Sequence, residues 1–153
     1  MATARLWALR STCSRLHVGA VVARDSRILA TGYNGAPAGM PHCDHACHCG
    51  RLSSNTPHRQ DCASLQPCLV SVHAEANAIA YAARHGISLD GAAIYTTHTP
   101  CRLCCMLIIN SGIKIVVWKE DYTRDDGVTL LHDGNVAYGR FSAADAIDDM
   151  IDS

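Results

Sequence analysis

The sequence predicts an α/β fold built on a central mixed sheet of five strands, and three observations predict it. Two short β-prone runs, Val18 to Ala23 and Ile28 to Tyr33, are joined by the turn residues Asp25 and Ser26, the pattern of an antiparallel hairpin. Ala92 to Thr97 then reads as a strand, the residues after Pro100 as a helix, and Ile113 to Trp118 as a further strand. That rhythm implies a parallel crossover and a sheet covered on both faces. A fifth, short strand is expected at Asn135 to Tyr138.

The remaining elements follow in chain order. Thr3 to Ser11 suits a first helix, with Leu6, Trp7 and Leu9 as its apolar side. The hairpin ends in Gly32-Tyr33-Asn34-Gly35-Ala36-Pro37-Ala38-Gly39, too rich in glycine to continue as a strand. From Ala76 to Arg84 good helix formers dominate, and Gly86 is a usual stop. Pro100 suits a first helical turn, Leu103, Leu107 and Ile108 give apolar spacings near the helical period, and Ser111-Gly112 breaks the run. Lys119 to Arg124 is a polar loop with one aromatic, Tyr122. Val128 to Leu131 reads as a short helix, and Ser142 with Asp145 resembles a capping box opening a last helix that carries Ile147, Met150 and Ile151.

Residues 1–153 read as one domain without internal repeats, long enough to bury a real core. Between Met40 and Val70 there is almost no periodicity, but His42, Cys43, His45, Cys47, His48, Cys49, His58, Cys62 and Cys68 fall there. An unstructured stretch of this length inside a compact domain needs a staple, and a closed, four-ligand structural zinc would supply one. Spacing alone does not choose the four, and Cys13 is also within reach. The net charge of -1 argues against a partner rich in phosphates such as nucleic acid. No apolar run approaches a membrane span, and Arg5 and Arg10 interrupt the N-terminal apolar residues, so neither a membrane nor a signal peptide is expected. An odd count of nine cysteines beside a zinc motif favours metal and free thiols over disulfides, hence a cytoplasmic protein.

The chemistry concentrates in two segments, His73-Ala74-Glu75 and Pro100-Cys101-Arg102-Leu103-Cys104. Each stands where a helix is expected to start. His73, Cys101 and Cys104 are good zinc ligands, and a zinc with three protein ligands keeps a fourth position for water, as catalytic sites do. The two thiols, three residues apart, share a helix face near a positive dipole end that favours the thiolate. Glu75 is then the spare group. Zinc lowers the pKa of a bound water from about 15.7 to about 7. Glu75 can take that water's proton and pass it to a substrate nitrogen, which suits hydrolytic loss of an amine from a ring carbon. His-x-Glu followed by Pro-Cys-x-x-Cys is the signature of the zinc nucleobase deaminases. A lone Cys-x-x-Cys also suits a redox pair or half of a structural zinc site, but both leave Glu75 without a role.

Several separated motifs, in order from Ser11 to Tyr122, resemble one family. Ser11-Thr12-Cys13-Ser14-Arg15, Val18-Gly19-Ala20, Gly32-Tyr33-Asn34-Gly35, His73 to Ile79, Pro100-Cys101 to Cys104, Gly112-Ile113-Lys114 and Asp121-Tyr122 are similar to the deoxycytidylate (dCMP) deaminases of bacterial and phage type. The resemblance implies a three-layer α/β/α cytidine-deaminase fold and conversion of dCMP to dUMP with release of ammonia. In that family hydroxide on the zinc attacks C4, and Glu75 would shuttle protons to N3 and then to the departing amine. Asn34 is carried over as a sugar ligand, and the backbone at Ala74 and Thr99 would meet the pyrimidine edge. Arg15 would bind the 5'-phosphate through its guanidinium fork, and Tyr122 would close over the nucleotide.

The resemblance also implies a homohexamer activated by dCTP and inhibited by dTTP, with Mg2+ on the triphosphate. Gly32 and Gly35 would lie near the effector, and Tyr81 and Arg84 at a subunit or coupling contact. For the second zinc it favours Cys13, Cys43 and Cys68; Cys47 is taken as the fourth ligand apart from the resemblance, with His45, His48, Cys49 and Cys62 as competitors. Three alternatives share these features: a deaminase for dCTP, deoxycytidine or another cytosine compound; one for guanine or a tRNA adenosine, the latter opposed by the charge; and a non-enzymatic zinc-binding interaction module built on the cysteine-rich insert.

Overall fold

In the computed structural model, residues 1–13, 15–40, 42, 71–122 and 127–142 are described. Five strands, β1 (Gly19–Arg24), β2 (Arg27–Tyr33), β3 (Ala93–His98), β4 (Ile115–Glu120) and β5 (Ala137–Arg140), form one sheet in the order β2-β1-β3-β4-β5. The hairpin pairs antiparallel, β1 pairs antiparallel with β3, and β3, β4 and β5 run parallel. The mixed five-stranded sheet expected from the sequence is therefore present. At the hairpin turn Asp25 and Ser26 both take positive φ, 49° and 57°, which a tight two-residue connection between twisted strands requires.

Four helices, α1 (Ala2–Ala8), α2 (Ala74–Arg84), α3 (Arg102–Asn110) and α4 (Gly127–Asp133), complete the described architecture. The alternation of strand side chains assigns them to faces. A Cβ at Gly19 would stand 2.0 Å from the Ala4 carbonyl oxygen of α1, whereas one at Gly32 would stand 2.1 Å from the Ala74 carbonyl oxygen of α2. Gly32 pairs with Ala20, the neighbour of Gly19, so α1 and α2 lie on opposite faces of the hairpin. Ala20, Val22, Ile94, Val116 and Trp118 form the main core with Ala74, Ala78, Cys105, Ile108 and Leu131, which places α3 and α4 on the α2 side. This is a three-layer α/β/α arrangement.

Several local expectations are corrected. The first helix is shorter than Thr3 to Ser11, and Leu6 and Leu9, taken as its apolar side with Trp7, are 62% and 75% exposed. Its docking face is Ala4 and Ala8, because glycine at position 19 lets the helix backbone come so close that only small residues fit between. In α3 the core-facing residues are Cys104, Cys105 and Ile108, while Leu103 and Leu107 are exposed. Pro100 stands before the cap residue Cys101 rather than in the first turn. Among the described residues the α1 face is covered by a helix only over β1 to β3, and Ile115 on β4 is exposed. The last helix expected after Ser142 lies outside the described residues.

Two features of the fold position the site. α2 is pressed flat on β2, with a Cβ at position 32 falling 2.1 Å from Ala74 O and 2.6 Å from Ala78 N, both backbone atoms. Gly32→Ala should therefore lower stability by about 1–3 kcal/mol, as overpacking does, read as a fall in melting temperature; an unchanged melting curve would show that α2 slides freely on the hairpin. The second feature is a bridge between Gly35 and Val72, closed by Gly35 N to Val72 O at 3.1 Å and Val72 N to Gly35 O at 2.9 Å. It ties the glycine-rich loop to the residue before His73.

Candidate metal centre and active site

His73 and Cys101 occupy equivalent places. Each is the N-cap of its helix, with extended backbone at φ -71°, ψ 156° and φ -71°, ψ 165°. Glu75 lies in the first turn of α2 and Cys104 in the first turn of α3, and the two helices are in contact. Ala74 opens α2, so its N–H is among those with no acceptor inside the helix. Two helix starts thus face one point, beyond the carboxyl end of β3.

The three expected ligands are brought together. His73 Nδ1 is 3.3 Å from Cys101 Sγ and 3.5 Å from Cys104 Sγ, and all three ligand atoms lie within 4.8 Å of one another. Zinc–sulfur and zinc–nitrogen bonds of about 2.3 and 2.0–2.1 Å at a tetrahedral angle separate sulfur from nitrogen by roughly 3.6 Å. The donor set fits zinc in type and spacing. Among the described residues no other group of this kind forms.

Protonation in the cluster is unequal. Hydrogen bonding with Cys104 and with His73 pulls the Cys101 thiol from the ordinary 9.0 down to about 4. Cys104 is pushed up by its hydrogen bond to Cys101 and by burial, and His73 is raised chiefly by its hydrogen bond to Cys101. Glu75 is 3% exposed, and burial raises its carboxyl above the usual range. The Cys104 thiol donates to Glu75 Oε2 at 3.6 Å, so the carboxyl adjoins the ligand triangle without belonging to it.

The other expected site residues are distributed around this point. Asn34 is buried, and its carboxamide is largely engaged: Oδ1 accepts from the Ser11 hydroxyl at 2.7 Å and from Val18 N at 2.8 Å, and Nδ2 donates to Leu16 O at 2.7 Å. One N–H remains for a ligand. Thr99 N donates to Glu120 O at 3.0 Å, and Thr99 Oγ1 accepts from Tyr122 N at 3.2 Å, so the exposed Tyr122 is tethered beside the metal-ligand loop. Arg15 is exposed. Gly32 faces α2 and Gly35 faces Thr12, both buried, whereas Tyr81 and Arg84 are exposed on α2, with Tyr81 stacked on His85. Cys13 is a buried free thiol; Cys43, Cys47 and Cys68 lie outside the described residues.

A network that the sequence reading missed runs behind the ligand loop. Gly19 N donates to Thr97 Oγ1 at 3.2 Å, Thr97 Oγ1 lies 3.0 Å from His98 Nδ1, and His98 Nε2 lies 3.5 Å from Glu120. In the tautomer that carries the ring proton on Nε2, towards the carboxylate, Nδ1 accepts from the Thr97 hydroxyl. Burial lowers the His98 pKa, against the pull of Glu120. The folded protein then holds fewer protons at His98 than the unfolded chain just below about pH 6.5, so this residue makes stability fall as pH falls through that window. His98→Gln should flatten the drop in melting temperature between about pH 7 and pH 5; equal slopes for both proteins would remove His98 from the balance.

The family model for the cytidine and deoxycytidylate deaminase zinc-binding region matches residues 1–120. The chain belongs to this deaminase family. Among its relatives, the deoxycytidylate deaminase of Mycobacterium phage D29 is 46% identical over 114 residues, 74% of this chain and 86% of that protein. ComE operon protein 2 of Bacillus subtilis (strain 168) is 45% identical over 128 residues, 80% of this chain, which spans 58% of that longer protein. The solved dCMP deaminase of cyanophage S-TIM5, in complex with dCMP and dUMP, superposes with a TM-score of 0.75 at 32% identity, covering 92% of each chain. In this chain the three candidate ligands stand at two helix starts, and no helix among its described residues is long and apolar enough to cross a membrane.

Proposed function

We propose that this protein hydrolyses the amine from dCMP, giving dUMP and ammonia. The observation that carries the reading is the His73, Cys101, Cys104 triangle with a buried, non-ligating carboxyl, Glu75, against one edge. The names of the phage relatives, deoxycytidylate deaminases, support dCMP as substrate. Bound zinc supplies a nucleophile at neutral pH by lowering the pKa of water to about 7.

The chain's own residues do the rest. Glu75 accepts a proton from the attacking water and delivers it to N3, then takes the remaining proton from the new C4 hydroxyl and passes it to the exocyclic amine; burial, which favours the protonated carboxyl, eases each uptake. The new C4–O bond replaces C4–N4, and ammonia leaves with the transferred proton. The N–H of Ala74 and the backbone of Thr99 orient the pyrimidine edge, and the remaining Asn34 N–H meets the sugar. Arg15 pairs with the 5'-phosphate and Tyr122 closes over the nucleotide.

Regulation by dCTP and dTTP with Mg2+, a homohexamer with Tyr81 and Arg84 at its contacts and Gly32 and Gly35 near the effector, and a cytoplasmic location complete the proposal. So do a second, structural zinc on Cys13, Cys43, Cys47 and Cys68 and a single domain over residues 1–153. The test is ammonia release by the zinc-loaded protein from dCMP, dCTP, deoxycytidine and CMP, with and without dCTP and dTTP. Fastest turnover of dCMP, suppressed by dTTP, is expected. No turnover of any of the four with zinc bound would overturn the reading.

A further inference from the structure

Asparagine is a poor residue for a helix interior, since its side chain competes for backbone hydrogen bonds. Asn77 nevertheless stands one turn after His73, between Ala76 and Ala78, in a helix otherwise built largely of alanine. Its Nδ2 donates to the Tyr33 carbonyl at 2.8 Å, a partly buried contact between segments 44 residues apart. Tyr33 precedes Asn34 directly.

Three ties therefore join the loop at 32–35 to the segment at 72–78. Gly32 lies flat on Ala74 and Ala78, Gly35 bridges Val72, and Asn77 holds Tyr33. The first two are backbone contacts. Asn77 makes the one of the three that uses a side chain, and it acts on the residue next to Asn34.

We propose that Asn77 is a positioning residue that fixes Asn34 relative to the first turn of α2, and with it the place of the nucleotide's sugar relative to His73 and Glu75. The inference deepens the proposed function, since it rests on Asn34 as a sugar contact. Without the Asn77 bond the loop still folds, because its two backbone ties remain, but Asn34 shifts against the metal centre. Catalysis is sensitive to such shifts: a misplacement of about 1 Å can cost about 10²-fold.

The test compares Asn77→Asp, equal in shape but with a carboxylate set against the Tyr33 carbonyl, and Asn77→Ala with wild type. Zinc content, kcat and KM for dCMP, calorimetric binding of dUMP, and a double-mutant cycle with Asn34→Ala are measured on zinc-loaded protein. Expected are full zinc content, dUMP binding and kcat/KM for dCMP each weakened about tenfold or more, and effects of the two sites that do not multiply. A purely structural role would instead lower zinc content and melting temperature with an independent, multiplying effect. That result, or wild-type kcat/KM in both Asn77 variants, overturns the inference. Wild-type protein that binds zinc but releases no ammonia from dCMP overturns the proposed function itself, a separate outcome.

Discussion

Glu75→Gln lowers ammonia release from dCMP by about 10²–10⁴-fold while zinc stays bound, the range of a lost general acid–base group. The substitution keeps the volume of a side chain that is buried, so no cavity opens in α2. It removes only the exchangeable carboxyl proton. The ligand triangle of His73, Cys101 and Cys104 is complete without Glu75, whose contact with it is the 3.6 Å hydrogen bond from Cys104. Zinc content and turnover are measured on one preparation. Loss of both together would make Glu75 a ligand or a support of one, and full activity would remove it from proton transfer.

Cys104→Ala abolishes turnover and strips the zinc, an effect larger than the about 10–100-fold in affinity that loss of an outer-shell partner costs. Cys104 is buried in the first turn of α3, where solvent does not replace it as a ligand. Chelation of the wild-type protein gives the same inactive state, reversed by added zinc. Zinc at a thousand times its dissociation constant stabilises the folded protein by about 4.1 kcal/mol, so removal also lowers the melting temperature. An active Cys104→Ala protein, or one that keeps stoichiometric zinc, would show that the triangle is not the metal centre.

The gathering of His73, Cys101 and Cys104 was readable because metal chemistry forces such spacings: His73 and Glu75 two apart and Cys101 and Cys104 three apart stand at two helix starts. The strands were readable from β-branched runs, within about the two residues by which strand ends usually shift. What was not readable depended on backbone approach. Leu6 and Leu9 look like a core face until glycine at 19 brings α1 so close that Ala4 and Ala8 fill it. Leu103 and Leu107 mislead likewise, because the inward side of α3 is set by where Cys104 must point. The Thr97, His98, Glu120 network joins side chains on two parallel strands, and no spacing along the chain announces a register such as His98 against Glu120. Asn77 did leave a signal, an asparagine inside an alanine helix.

The bridge between Gly35 and Val72 bears on how the chain tolerates changes in length. It fixes both ends of the intervening segment on the rigid frame that carries Asn34, His73 and Glu75. Chain entropy makes such a closed loop cheap to lengthen, each doubling costing only about 0.6 kcal/mol. Changes in the number of residues between positions 35 and 72 are thus expected to leave the relative placement of Asn34, His73 and Glu75 unchanged. The bridge is a socket at which the chain can vary in length without disturbing that frame.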